Sequence, residues 1–244
     1  MEIEELRRLA AKEELSLNYA AKDEMISKAL ADLQGFDDII LKGGTATNRV
    51  YLKNKRFSED IDFDLVFKKT IKQALSRTKE IISKLKEFDI AKPRIMNKTI
   101  RYDLFYTNPL SHKDKIRVEF RIVKKASNYS KKIINFGFVP YSSSLLNAYD
   151  AEELIKHKTD CIMSRIEGKD FFDLYYLVDL PHKPVKSLKE KKEKIIGRIS
   201  LEEKEIKSAA NIINHYIPRS KRPIWSIFLE DLKKKIKKEL KRGK

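Results

Sequence analysis

The sequence predicts an α+β protein: a mixed sheet flanked by helices in the first part of the chain and a helical bundle in the second. Two observations carry this reading. Segments in which apolar and polar residues alternate lie before about residue 145, and after it the apolar residues recur at three- and four-residue spacing. The expected domains are residues 1–145 and 146–244.

Taken in order, residues 1–34 read as helix, because Leu6, Leu9 and Ala10, then Ile26, Leu30 and Leu33, repeat at helical spacing with charges between them. Residues 38–42 form a short apolar strand. Gly43 and Gly44 break it before a helix-like stretch that ends near residues 51–53. Residues 59–67 alternate strictly, with Asp60, Asp62 and Asp64 on one face and Ile61, Phe63 and Leu65 on the other. Helical spacing returns over 70–88, and two more alternating stretches follow at 99–106 and 115–123. Beyond residue 145 the segments 151–167, 169–178, 188–199, 202–216 and 225–240 favour helix, with prolines at 181–184 and 218–223 as breaks. No internal repeat of solenoid period is present.

Composition excludes several classes. The 244 residues are 41% hydrophobic and 36% charged with 7 Gly and 7 Pro, unlike collagen-like, mucin-like or low-complexity chains. The single cysteine, Cys161, makes no internal disulfide, the start lacks the cationic and apolar regions of a secretory signal, and no apolar run approaches the ~18 residues of a membrane span. A soluble protein of the reducing cytoplasm, with no membrane partner, is expected. The 53 Lys+Arg against 36 Asp+Glu give a net charge of +17, which points to a polyanionic partner, nucleic acid or nucleotide. From residue 181 onward there are 20 Lys+Arg and 8 Asp+Glu, so most of the excess lies in the helical part.

The densest chemical signal is LKGGTATNRVYLKNKRFSEDIDFDLVF, residues 41–67. At a helix N-terminus the backbone N–H groups of Gly43, Gly44 and Thr45 can hold triphosphate oxygens, since glycine presents no Cβ and the helix dipole favours an anion. Asp60 and Asp62 project from one strand face, where together they can hold a hard divalent cation, Mg²⁺ or Mn²⁺, through oxygen. A Gly-Gly turn alone is common, and an Asp-x-Asp strand alone is often a solvated edge. Their succession matches the needs of nucleotidyl transfer. Ser58 has no His and Asp companions suggestive of a hydrolase and is read as orienting the strand end or bonding phosphate.

The runs GGTATNRVY and RFSEDIDF resemble the signature of the AbiEii/AbiGii toxin nucleotidyltransferases, a branch of the polymerase-β-like nucleotidyltransferase superfamily. Gly43, Gly44, Thr45, Ala46, Tyr51, Arg56, Ser58, Asp60, Ile61, Asp62 and Phe63 match its usual form, while Thr47 stands where Leu is usual. A second block, AEELIKHKTDCIMSRIEGKDFFDLYYL, supplies the expected Glu153, Lys158, Arg165, Asp170 and Asp173, with Lys169 replacing a customary Arg. The resemblance spans residues 36–180. It implies a polymerase-β-like nucleotidyltransferase domain joined to a C-terminal helical bundle domain. It also implies nucleotide-site roles for Arg56 and Ser58, a triphosphate contact at Lys158 and a positioning role for Asp170. Asp173 is read either with that site or as a partner of Arg165.

The resemblance also implies a third metal carboxylate on a later strand, acting as ligand or general base. In KIRVEFRIV, Glu119 lies on the polar face with Arg117 and Arg121 and is the choice; a cross-strand ion pair is the alternative for it, and Asp64 and Asp103 compete for the role. His157 and Cys161 stand four apart without a second pair at zinc spacing. Trp225, Phe228, Leu232, Ile236 and Leu240 form an apolar stripe expected in the core, with the intervening lysines as a wet face on which RNA would dock. The function so implied is metal-dependent transfer of NMP from an NTP to an acceptor hydroxyl, with the 3′ end of transfer RNA as an acceptor known in the family, by a toxin of a toxin–antitoxin or phage-defence system with a cognate antitoxin. The rivals are nucleotidylation of a protein or small molecule, and non-catalytic RNA binding on a transferase fold.

Overall fold

The computed structural model describes residues 1–108 and 110–239. These divide into two compact units after Tyr149. The first unit opens with α1 (Ile3–Lys12) and α2 (Leu17–Asp32). The single helix expected over 1–34 is thus interrupted: Glu14 takes φ 54°, and Ser16 accepts a hydrogen bond from the Tyr19 N–H, capping a new helix. Then follow β1 (Ile39–Lys42), α3 (Gly43–Ala46), a π-helical turn (Thr47–Tyr51), β2 (Asp60–Val66) and α4 (Ile71–Ile82), the last started by a reciprocal Thr70–Gln73 capping box. Six further strands complete the sheet: β3 (Asp89–Ile90), β4 (Arg94–Met96), β5 (Thr99–Thr107), β6 (Lys113–Val123), β7 (Tyr129–Ile134) and β8 (Ser144–Tyr149).

The eight strands are ordered β3-β5-β6-β2-β1-β8-β7, with β4 on β5. β2–β6 and β1–β8 are parallel and the other pairs antiparallel, so the sheet is mixed. Its apolar face is the one the alternation marks: Ile61, Phe63 and Leu65 of β2 and Ile116, Val118 and Phe120 of β6 are fully buried. Phe63 stacks on Phe120 at 5.5 Å, a pair worth about 1 kcal/mol beyond its area. α4 reaches this face through Thr78, whose hydroxyl lies 2.9 Å from that of Tyr102.

The strands absent from the expectation are those without a clean period. β3 and β4 are only two and three residues long and exposed, and β7 is largely exposed. β8 is buried on both sides except at Leu145, which hides the alternation.

Beneath the π-helical turn lies a buried ion pair. The Arg49 guanidinium donates to Asp23 Oδ1 at 2.9 Å and to Ser27 Oγ at 2.7 Å, binding the turn to α2. Asp23 Oδ2 accepts from the Val139 N–H, and a Cβ on Gly137 would collide with this carboxylate. Asn135 donates to the Arg49 carbonyl, and Asn54 to those of Phe136 and Gly137. Burial pushes the Asp23 carboxyl up, and Arg49 only partly offsets it.

The second unit is helical: α5 (Ala151–Ser164), α6 (Gly168–Leu177), α7 (Lys186–Glu190), α8 (Lys192–Ile199), α9 (Glu203–Asn214) and α10 (Trp225–Glu239). The helix expected over 188–199 is split at Lys191. The α10 stripe of Trp225, Phe228, Leu232 and Ile236 is buried, with Phe228 stacked on Phe172 of α6 at 5.9 Å; Leu240 lies outside the described residues. Of the α10 lysines, Lys234, Lys237 and Lys238 are exposed, whereas Lys233 and Lys235 are partly buried beside Glu230 and Asp179. No helix among the described residues is long and apolar enough to cross a membrane.

Candidate active site

β1 delivers the chain into the glycine turn at its C-terminal end. Gly43 takes φ +70°, a left-handed conformation that glycine adopts without steric cost, and a Cβ there would collide with Asp62 Oδ2. A Cβ on Gly44 would stand 2.6 Å from an Arg56 guanidinium nitrogen and 2.7 Å from Ser58 Oγ. The turn therefore lies directly on the carboxylate strand and the segment before it. Side chains lock it there. Thr45 Oγ1 donates to the Asp60 carbonyl, Thr47 Oγ1 to that of Gly43 and Asn48 Nδ2 to that of Gly44, while Asn48 Oδ1 accepts from the Arg56 N–H at 3.3 Å. Arg56 is itself 3% exposed and donates to the Phe57 carbonyl, so it supports the turn from inside.

The register across the sheet sets the carboxylates. Asp62 pairs with Lys42 of β1 on one side and Glu119 of β6 on the other, and Glu119 pairs in turn with Arg101 of β5. The next row along the same face runs Asp60–Arg117–Asp103. Asp60 and Asp62 are partly exposed, and the nearest cation to Asp60 in this row, Arg117, stands off at 3.5 Å.

The three candidates for a further carboxylate differ sharply. Asp64 is buried and saturated by a bidentate Arg121 at 2.7 and 2.8 Å, Lys42 at 2.7 Å and the Tyr149 hydroxyl at 2.6 Å. Burial alone would raise its carboxyl, but these donors outweigh it and hold the group at about 2. Asp103 receives Arg94 and Lys115 on Oδ2. Glu119 is the one in register with Asp62. Its Oε1 accepts from Arg101 Nε at 2.8 Å and from a second guanidinium nitrogen at 2.6 Å, so the ion pair open to it is made across to β5.

Among the described residues no three His, Cys, Asp or Glu side chains gather into a metal cluster, so Asp60, Asp62 and Glu119 are neighbours in the ladder without forming a closed cage. The donor set still suits Mg²⁺ or Mn²⁺. Mg²⁺ uses one or two carboxylates and completes its shell with substrate phosphate and water, and Asp62 lies against the turn suited to phosphate.

Lys158, Asp170 and Asp173 belong to the second unit. Lys158 is 5% exposed, and its ammonium lies 2.9 Å from Asp170 Oδ1 and 2.7 Å from Asp173 Oδ2. Arg165, expected opposite Asp173, reaches Asp170 at 2.8 Å. Burial raises the Asp170 carboxyl and the two cations more than reverse this, to about 2. Lys158 is thus the centre of a buried ion network.

Sequence reading missed the partners: Lys42, Arg101 and Tyr149. Arg101 shares the polar face of an alternating strand, which is a usable signal, but Tyr149 comes from a strand without period.

The chain matches the family model described as nucleotidyl transferase AbiEii toxin, type IV toxin–antitoxin system, over residues 26–239. No curated sequence matches it. Among solved structures it is similar to a protein from H. pylori assigned as a nucleotidyltransferase (TM-score 0.63, 16% identity, 93% of this chain and 97% of that one). It is also similar to the nucleotidyltransferase toxin MenT4 from Mycobacterium tuberculosis (TM-score 0.62, 16% identity, 97% and 90%). At that identity the two structures establish the shared fold. With the family model covering the glycine turn, the β2 carboxylates and the Lys158 block together, the chain belongs to the AbiEii toxin family and is a nucleotidyltransferase.

Proposed function

We propose that this nucleotidyltransferase is divalent-metal-dependent and transfers NMP from an NTP to a hydroxyl of RNA, with the 3′ end of transfer RNA as the acceptor to test first. The supporting observation is the contact between the phosphate-suited turn and the carboxylates, where Gly43 has no room for a Cβ beside Asp62. In the reaction the acceptor oxygen bonds to the α-phosphorus, the bond from that phosphorus to the oxygen bridging to the β-phosphate breaks, and pyrophosphate leaves. The Gly43, Gly44 and Thr45 N–H groups hold the triphosphate, with Ser58 beside Gly44. Arg56 acts from beneath. Glu119 takes the acceptor proton through Oε2, since Oε1 is occupied by Arg101. Asp60 and Asp62 would hold the Mg²⁺ or Mn²⁺, which when bound neutralises charge on the transferring group. For Lys158 and Asp170 a nucleotide-site role rests on the family resemblance.

RNA binding is assigned to the basic C-terminal segment, through exposed side chains such as Lys234, Lys237 and Lys238. Lysines spread in this way engage phosphates without reading sequence. The family implies an antitoxin as the controlling partner, and the cytoplasm is the proposed location.

The test is Mg²⁺-dependent transfer of label from each of the four α-labelled NTPs to total RNA and to protein, comparing the wild type with the Asp60→Ala, Asp62→Ala double variant. Labelled RNA of transfer-RNA size, lost in the variant, is the expected result. Label in protein keeps the chemistry and changes the acceptor, and no label in any fraction overturns the proposal.

A further inference from the structure

Arg117 differs from the other cations on the carboxylate face. It stands in register between Asp60 on β2 and Asp103 on β5, all three on one side of the sheet. Its contact with Asp60 is 3.5 Å, whereas Arg94–Asp103, Arg101–Glu119, Lys115–Asp103 and Arg121–Asp64 lie between 2.6 and 3.0 Å. Its Nε is buried and has no hydrogen-bond partner. Directly opposite, the Asp103 side chain is 9% exposed and has Oδ2 doubly occupied, while its buried Oδ1 has no partner. An orphan donor and an orphan acceptor therefore face the same side of the sheet on paired residues, an arrangement that folded proteins seldom leave uncompleted.

We propose that Arg117 is an exchangeable counter-ion: it accompanies Asp60 when no cation is bound, and it passes to Asp103 Oδ1 when a divalent cation takes Asp60. The inference rests on the metal reading above and adds a positioning residue to it. A guanidinium and a divalent cation compete for one carboxylate, and the long Asp60 contact is the one most easily given up. The Arg117 side chain is 40% exposed, which leaves it room to turn. Asp103 is a prepared receiver: burial raises its carboxyl, but Lys115 and Arg94 outweigh burial and keep it ionised. The transfer would satisfy both orphan atoms at once.

The experiment is Mn²⁺ binding to the full chain by calorimetry, without nucleotide, for the wild type, Arg117→Gln, Asp103→Asn and the double variant, each checked for folding by thermal melting. Arg117→Gln should tighten Mn²⁺ about three- to fivefold by removing the competitor, and Asp103→Asn should loosen it about threefold by removing the receiver. In the Arg117→Gln background, Asp103→Asn should have no further effect. Unchanged or weaker binding in Arg117→Gln overturns the exchange, as does an equal loosening by Asp103→Asn in both backgrounds, which would reflect simple loss of charge. On the wild type itself, the Arg117 Nε–H NMR signal should gain protection from solvent exchange when Mg²⁺ is added; a signal that does not respond overturns the exchange without any variant. A wild type whose Mn²⁺ uptake is absent, or unaffected by Asp60→Ala with Asp62→Ala, overturns the metal reading and the exchange with it.

Discussion

The carboxylates of β2 and those around Lys158 are built from the same residue types and do opposite things. Asp170 and Asp173 are fully buried, with the Lys158 ammonium within 2.7–2.9 Å of both and Arg165 2.8 Å from Asp170, and the Lys158 pairs tie α5 to α6. Asp60 and Asp62 are partly exposed, and Arg117 stands off from Asp60 at 3.5 Å. Where a carboxylate is saturated by the chain, its ion pairs tie elements of the fold together. Where a cation stands off and is itself partly exposed, as Arg117 does beside Asp60, a ligand can compete for the carboxylate. Asp64, two residues from Asp62, falls on the saturated side and shows that the division runs through a single strand.

The comparison breaks most visibly if the two groups respond alike to truncation. Asp60→Ala with Asp62→Ala should lower nucleotidyl transfer by about a thousandfold while the melting temperature stays near that of the wild type, as labelled-NTP assays and calorimetry would read. Lys158→Ala should do the reverse first: it removes the ammonium that two buried aspartates share and should cost about 3 kcal/mol in denaturant unfolding. If Lys158→Ala stays as stable as the wild type, the network is not structural.

Acid acts on the saturated groups. Asp64 and Asp170 both sit at about 2 in the folded chain, below the usual carboxylate value, so the unfolded state binds more protons between the two values and stability rises with pH there. Each contributes about 2 kcal/mol that is fully present above about pH 4 and lost as pH falls toward 2. Asp64→Asn should flatten that part of the stability–pH curve, as denaturant unfolding at a series of acidic pH values would read.

Smaller effects follow at the turn and the basic surface. Gly44→Ala pushes on Arg56 and Ser58 and should cost about 1 kcal/mol, with roughly tenfold slower transfer, because the added Cβ lies at 2.6–2.7 Å from both. Replacing Lys234, Lys237 and Lys238 by Ser should weaken RNA binding a few-fold and make the salt slope shallower by about 0.9 for each phosphate no longer neutralised, measured by filter binding at several salt concentrations.

What could be read from the sequence was whatever has a short period. The alternation of 59–67 placed Asp60, Asp62 and Asp64 on one face, and Gly43-Gly44 marked the turn that abuts them. The same alternation could not separate Asp62 from Asp64, because the difference is made by Arg121, Lys42 and Tyr149, which arrive from three other strands. Likewise Lys158 reads on its helix as one lysine among many, and only the packing of α6 encloses it. β8 escaped notice because a strand buried on nearly all sides has no polar face to betray it.

The clasp around Asp23 and Arg49 bears on when, during synthesis, the protein becomes competent. The segment that follows the glycine turn is tied to residues 135–139, more than eighty positions downstream, and β1, which feeds the turn, takes its parallel neighbour β8 from residues 144–149. Such ties form only after the intervening chain has been made and its loop closed. A nascent chain that has already exposed Gly43, Asp60, Asp62 and Glu119 therefore lacks the bonds that fix them, and a ribosome stalled before residue 135 carries an unassembled toxin.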